Sequence, residues 1–156
     1  MHDGAARVLE LLERSGLSIA VAESLTGGLL AAELVAVPGA SRVVRGGVVA
    51  YATDLKQSLL GVDAELLAQR GAVDPEVARQ MARGVCVRLG ADVGVATTGV
   101  AGPDAQDGRA PGTVYVAVCR SGSEPVTEHH EIPGDRTAVR DGSVRAALAL
   151  LERTLR

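Results

Sequence analysis

The chain has 156 residues, 47% of them hydrophobic and 22% charged, with a formal net charge of −3. That length fits one domain, and that composition excludes a disordered, collagen-like or disulfide-stapled chain. With 16 Lys and Arg against 19 Asp and Glu, no Trp, no Phe and two Tyr, the surface offers little counterion release toward nucleic acid or anionic lipid and no platform for stacking bases.

Ala5, Val8, Leu9 and Leu12 share one helical face and predict a first helix, which Gly16 ends. Asp3, Glu10 and Glu13 within it rule out the order of a secretory signal. No apolar run approaches the ~20 residues of a membrane span, so a cytoplasmic chain with no membrane partner is expected. Residues 17–22 read as a short buried strand. Thr26-Gly27-Gly28 opens a second helix to about Val37, closed by Pro38-Gly39. Residues 43–52 read as a strand with an irregularity at Gly46-Gly47. Asp54 is expected to cap a short helix to Leu60, and Asp63 another to Arg70.

Asp74-Pro75 joins an N-cap residue to Pro at the first helical position. Ala78, Met81, Ala82, Val85 and Leu89 form the inner face of that helix, and Gly90 ends it. Residues 92–98 form a buried strand running into a Gly-rich exit, and residues 104–111 a polar loop. Residues 112–119 and 124–132 are two more strands, the second alternating in polarity as an edge strand does. Val144, Leu148, Leu151 and Leu155 set the stripe of a last helix. Alternating helices and strands, with strands apolar on both faces, predict a single-domain α/β fold. The expected form is a three-layer αβα sandwich with a mostly parallel sheet and an antiparallel edge.

Ligands of open α/β sheets bind where strands end and helices begin, and three such places stand out. At the first, Ser24 precedes Thr26, Gly27 and Gly28, whose backbone N–H groups could hold an oxyanion or phosphate, or simply cap a helix. At the second, Tyr51 ends a strand and Lys56 enters the next helix. Lys56 is the only Lys beside 15 Arg. Lys can lose its proton near neutrality and Arg cannot, and a helix N-terminus favours that loss. At the third, Thr97, Thr98, Gly99 and Gly102 allow close approach of a ligand to backbone; a plain tight turn explains them equally well. Arg136 and Arg140 lie one helical turn apart at the start of the last helix, as a phosphate clamp or a solvated helix start.

Other chemistries fit less well. His129 and His130 are adjacent on a strand and point to opposite faces. Cys86 and Cys119 make no CxxC spacing and read as buried free thiols. Neither supplies a metal site. Ser24 with Lys56 as base is a simpler nucleophile pair than any triad through His.

Together, AESLTGG at 22–28, YATDLK at 51–56, TGVAGPD at 98–104, PGTV at 111–114 and GDRTAVR at 134–140 resemble, in this order, the CinA C-terminal domain, the competence/damage-inducible family. The resemblance covers essentially the whole chain. It implies hydrolysis of the carboxamide of nicotinamide mononucleotide to nicotinate mononucleotide and ammonia, which recycles pyridine nucleotide. It maps the nucleophile to Ser24, the base to Lys56 and a supporting hydroxyl to Tyr51. Thr98 and Gly99 map to the substrate pocket, with Arg136 and Arg140 in the phosphate region. It implies no metal or organic cofactor, and a homodimer or larger oligomer. The sequence departs from the family at Leu25, at Ala52-Thr53, at Ile132-Pro133, and at Ala105-Gln106-Asp107-Gly108, where a Gly-rich stretch is usual. The alternative is a non-catalytic nucleotide-binding or scaffolding module of the same family. The intact Ser24, Tyr51 and Lys56 favour the enzyme.

Overall fold

Residues 2–156 are described by the structure, a computed structural model. Helix α1 (His2–Ser15) leads into strand β1 (Ile19–Glu23) and helix α2 (Leu29–Val35). Strand β2 (Val44–Val49) is followed by helices α3 (Thr53–Leu60), α4 (Ala64–Arg70) and α5 (Pro75–Leu89). Strands β3 (Val93–Gly99), β4 (Thr113–Arg120) and β5 (Val126–Glu131) precede helix α6 (Arg136–Leu155). The strands form one five-stranded sheet in the order β2-β1-β3-β4-β5. Strand β1 pairs in parallel with β2 and β3, while β4 pairs antiparallel with β3 and with the edge strand β5. Only β4 therefore runs against the others, which gives the mostly parallel sheet with an antiparallel side that the pattern predicts.

The period of two sorts the side chains of β1 and β3 by size as well as by face, and β4 follows except at Tyr115. Ile19, Val21, Val93, Val95, Val114 and Val116 meet α1, α2 and α6 in one core. Ala20, Ala22, Ala96 and Ala117 meet α3, α4 and α5 in the other. Small residues on this second face let α5 lie close to the sheet. A Cβ on Gly94 would stand 2.2 Å from the Ala82 carbonyl oxygen, and one on Gly84 would stand 1.8 Å from that of Leu60. Each Leu or Ile sealed in these layers, such as Leu12, Ile19, Leu30 and Leu151, contributes about 1.5–3 kcal/mol relative to exposure.

Local chemistry sets most helix ends. The Asp63 carboxylate accepts from the N–H groups of Glu65 and Leu66, and that of Asp74 from those of Glu76 and Val77. Two expectations need correction. Asp54 does not cap α3: the cap lies two residues earlier, at Ala52, and no side chain caps the helix. Strand β2 stops at Val49 instead of Ala52. The Ala50 N–H still donates to the Glu23 carbonyl, but the carbonyls of Ala50 and Tyr51 accept from Lys56. The buried amine takes the chain out of the sheet.

Candidate active site

Ser24 follows the last residue of β1 and is held there by its N–H, which donates to the Thr97 carbonyl at 3.1 Å. The chain then turns sharply through Gly27 and Gly28, at φ 55° and 104°, a left-handed conformation that Gly adopts without a steric cost. Across from this turn, Lys56 stands in the first turn of α3 with no solvent exposure. Its Nζ donates to Ser24 Oγ at 2.8 Å, to the Ala50 carbonyl at 2.7 Å and to the Tyr51 carbonyl at 3.4 Å. Burial lowers its pKa from 10.5 to about 8, and the Asp107 carboxylate acts in the opposite direction. Near pH 8 about half of such a lysine is neutral, and a neutral amine 2.8 Å from a hydroxyl can take its proton.

Ser24 opens onto a cavity of about 370 Å³ whose rim includes Leu25, Tyr51, Gly99, Gly102, Asp104 and Arg136. Arg136 lies across the mouth. It donates to the Gly102 carbonyl at 2.6 Å and to the Tyr51 hydroxyl at 3.0 Å. Gly99 must be small, because a Cβ there would stand 2.7 Å from the Thr113 carbonyl oxygen. The cavity is thus lined by the Ser24 hydroxyl, the Arg136 guanidinium and the exit of β3.

Several expected site residues lie behind this cavity instead of in it. The Thr26 and Thr97 hydroxyls bond each other at 2.8 Å and are buried. The Thr98 hydroxyl donates to the Ala72 carbonyl at 2.8 Å. Arg140 does not join Arg136. Its guanidinium donates to the carbonyls of Leu25 and Thr26 at 2.9 and 3.3 Å, fixing the turn that carries Ser24. The Gly27 N–H donates to the Ser24 carbonyl, so it is not a free anion donor. The start of α2 is occupied too. Glu23, fully buried, accepts from the N–H groups of Leu30 and Ala31 at 2.9 and 3.0 Å. The Tyr51 hydroxyl meets Arg136, and only its backbone carbonyl meets Lys56.

His129 stacks on Tyr115 with ring centroids 4.8 Å apart, on edge strand β5. Cys86 and Cys119 are free and buried, and burial raises the Cys86 thiol to about 12, which leaves it unreactive. Among the described residues no group of three or more His, Cys, Asp or Glu could hold a metal ion. No helix among them is long and apolar enough to cross a membrane.

Comparison with known proteins agrees with this fold. The family described as the CinA C-terminal domain matches residues 2–155. The chain belongs to the CinA C-terminal domain family. A CinA-like protein of Frankia casuarinae is 50% identical over 148 residues, which are 95% of this chain and 34% of that protein. A putative competence-damage inducible protein of Bacillus subtilis is 41% identical over 157 residues, 99% of this chain and 38% of that protein. The chain spans about a third of the length of these curated relatives. A crystal structure of a competence-damaged protein (CinA) superfamily member from Klebsiella pneumoniae superposes with a TM-score of 0.94 at 36% identity, covering 99% of this chain and 96% of that one.

Within the CinA domain, two carboxylates beside the site were missed by sequence reasoning. Glu23 lies in the AESLTGG segment, but only the fold shows that it caps α2. Asp107 is half of an Asp-Gly pair, a signal for a tight turn that does not reveal what its side chain reaches.

Proposed function

We propose that this chain hydrolyses the carboxamide of nicotinamide mononucleotide to nicotinate mononucleotide and ammonia, in pyridine-nucleotide recycling. The observation that carries the reading is the 2.8 Å bond between Ser24 Oγ and the sealed Lys56 Nζ. Neutral Lys56 takes the Ser24 proton as Oγ attacks the carboxamide carbon. The N–H groups of Leu25, Thr26 and Gly28 take no part in the turn's own backbone bonds and can donate to the oxyanion. Protonated Lys56 then returns the proton to the departing nitrogen, which leaves as ammonia. Water attacks the Ser24 ester with Lys56 again as base, restoring the hydroxyl.

Arg136 at the mouth meets the phosphate and releases its Gly102 or Tyr51 contact as it does so. Gly99 and Gly102 admit the ring, while Thr26, Thr98 and Arg140 hold the framework behind it. The proposal includes a cytoplasmic homo-oligomer that needs no metal or organic cofactor. An enzyme-coupled ammonia assay on nicotinamide mononucleotide tests it. Ammonia and nicotinate mononucleotide should appear in equal amounts. Saturable binding of the nucleotide without ammonia release from pH 7 to 9 would instead make the domain a binding module.

A further inference from the structure

The N-cap of α2 is Gly28, at φ 104°, and no side chain caps the helix from that position. A left-handed turn favours Gly there, and Gly lacks the oxygen with which an N-cap side chain takes an N–H two or three residues on. Leu30 is fully buried, and a buried N–H without an acceptor is costly. The acceptor comes from the other side of the turn. Glu23, the last residue of β1, has no solvent exposure. Its Oε1 accepts from the Leu30 N–H at 2.9 Å and its Oε2 from the Ala31 N–H at 3.0 Å.

Glu23 and Ser24 are neighbours that work on opposite faces of the sheet. Ile19 and Val21 belong to the core with α1, α2 and α6, and Glu23 continues that set toward α2. Ala20 and Ala22 belong to the other core, and Ser24 continues theirs toward Lys56 on α3. Ser24 is fixed without the Glu23 side chain: its N–H donates to the Thr97 carbonyl, and its Oγ accepts from Lys56. Glu23 fixes the far end of the turn. The Gly27 N–H donates to the Ser24 carbonyl, the Leu29 N–H to the Thr26 carbonyl and the Ala32 N–H to the Gly28 carbonyl. With Leu30 and Ala31 taken by Glu23, only the N–H groups of Leu25, Thr26 and Gly28 between Ser24 and Ala32 have no acceptor among the described residues.

We propose that Glu23 is a positioning residue for the Ser24 turn: by closing the chain from the end of β1 onto the start of α2, its carboxylate fixes where the free N–H groups of Leu25, Thr26 and Gly28 stand against Ser24 Oγ. Gly27 and Gly28 give this segment more backbone freedom than any other residues would, and the two carboxylate bonds remove it. Arg140 holds the same turn by its carbonyls, so donors and acceptors of the turn are tied by different side chains. The catalytic consequence rests on the reading of Ser24 as nucleophile; the placement of the N–H groups does not.

Crystal structures and kinetics of Glu23→Gln and Glu23→Ala beside the wild type test this. Glu23→Gln keeps one accepting oxygen and Glu23→Ala none; if Glu23→Ala fails to fold, Glu23→Gln carries the test. The nitrogen atoms of Leu25, Thr26 and Gly28 should move by about 1 Å relative to Ser24 Oγ, while the bond from Ser24 to Thr97 stays. The kcat for nicotinamide mononucleotide should fall roughly 10-fold in Glu23→Gln and 100-fold in Glu23→Ala, with KM kept within about twofold. Leu12→Ala, in the sealed core on α1, destabilises the fold without touching the turn and should keep its kcat. Turn nitrogens that stay in place in the Glu23 variants, or an equal loss of kcat in Leu12→Ala, overturn the proposal. Nitrogens that move while kcat stays uphold the role of Glu23 and remove these N–H groups as oxyanion donors. If the wild type releases no ammonia, the amidohydrolase reading fails separately, and the crystal structures decide the proposal alone.

Discussion

Replacing Lys56 by Met leaves a chain of similar length in a site sealed from solvent and removes the one group there that titrates. The folded protein lowers the Lys56 pKa from 10.5 to about 8, so between these values the unfolded chain binds a proton that the folded chain does not. Stability from this group is therefore complete above the unfolded value and is lost as pH falls through the folded one. The full penalty below pH 8 is about 3 kcal/mol, and between pH 7 and 10 the wild type should regain about 2.5 kcal/mol relative to Lys56→Met. The variant also leaves Ser24 Oγ and the Ala50 carbonyl without their amine, but that loss does not vary with pH. Cys86, raised to about 12 by burial, weakens the fold above pH 9 in both proteins and cancels in the difference. Urea unfolding of both proteins at pH 7, 8, 9 and 10 measures it. A flat difference would mean that Lys56 titrates normally and would remove the basis for its role as a base.

Three further outcomes are expected. The kcat/KM for nicotinamide mononucleotide should rise about tenfold per pH unit below 8 and level off above it, and Lys56→Arg should be nearly as inactive as Lys56→Ala, because a guanidinium stays charged. Arg136→Ala should narrow the preference for nicotinamide mononucleotide over its riboside by roughly 10- to 100-fold, mainly by slowing the nucleotide; Arg140→Ala, which frees the Leu25 and Thr26 carbonyls, should slow both substrates alike and leave that ratio unchanged. Glu23→Ala strands the Leu30 and Ala31 N–H groups and should lower the unfolding free energy by about 3 kcal/mol, read by urea titration at fixed pH.

What the sequence disclosed follows the range of the interactions involved. Asp63 and Asp74 were legible as caps because each acts on N–H groups two and three residues away. The alternation of strands and helices was legible because burial on both faces leaves a composition signal. Ser24 and Lys56 stood out for local reasons, a turn that needs Gly and a single lysine in an Arg-rich chain. Their 32-residue separation closes only in the fold. Thr26, Thr98 and Arg140 were read as ligand groups because hydroxyls and guanidinium groups near a Gly-rich turn suit a phosphate. Their partners are Thr97, the Ala72 carbonyl, and the carbonyls of Leu25 and Thr26, which no local pattern reveals. The end of β2 was misplaced for a related reason, since the Ala50 carbonyl turns to an amine six residues further on. Glu23 and Asp107 accept from backbone N–H groups seven, eight and 35 residues away, and contacts at that range leave no mark on spacing.

The most direct test of the central claim is ammonia release from nicotinamide mononucleotide by Ser24→Ala beside the wild type at pH 8.5, where most of Lys56 is neutral. Ser24 lines the cavity and loses only one hydroxyl, so the variant should keep its fold, checked by its amide spectrum. The account predicts steady release by the wild type and a loss of at least about a thousandfold in the variant. Release by folded Ser24→Ala at a rate near that of the wild type would contradict it.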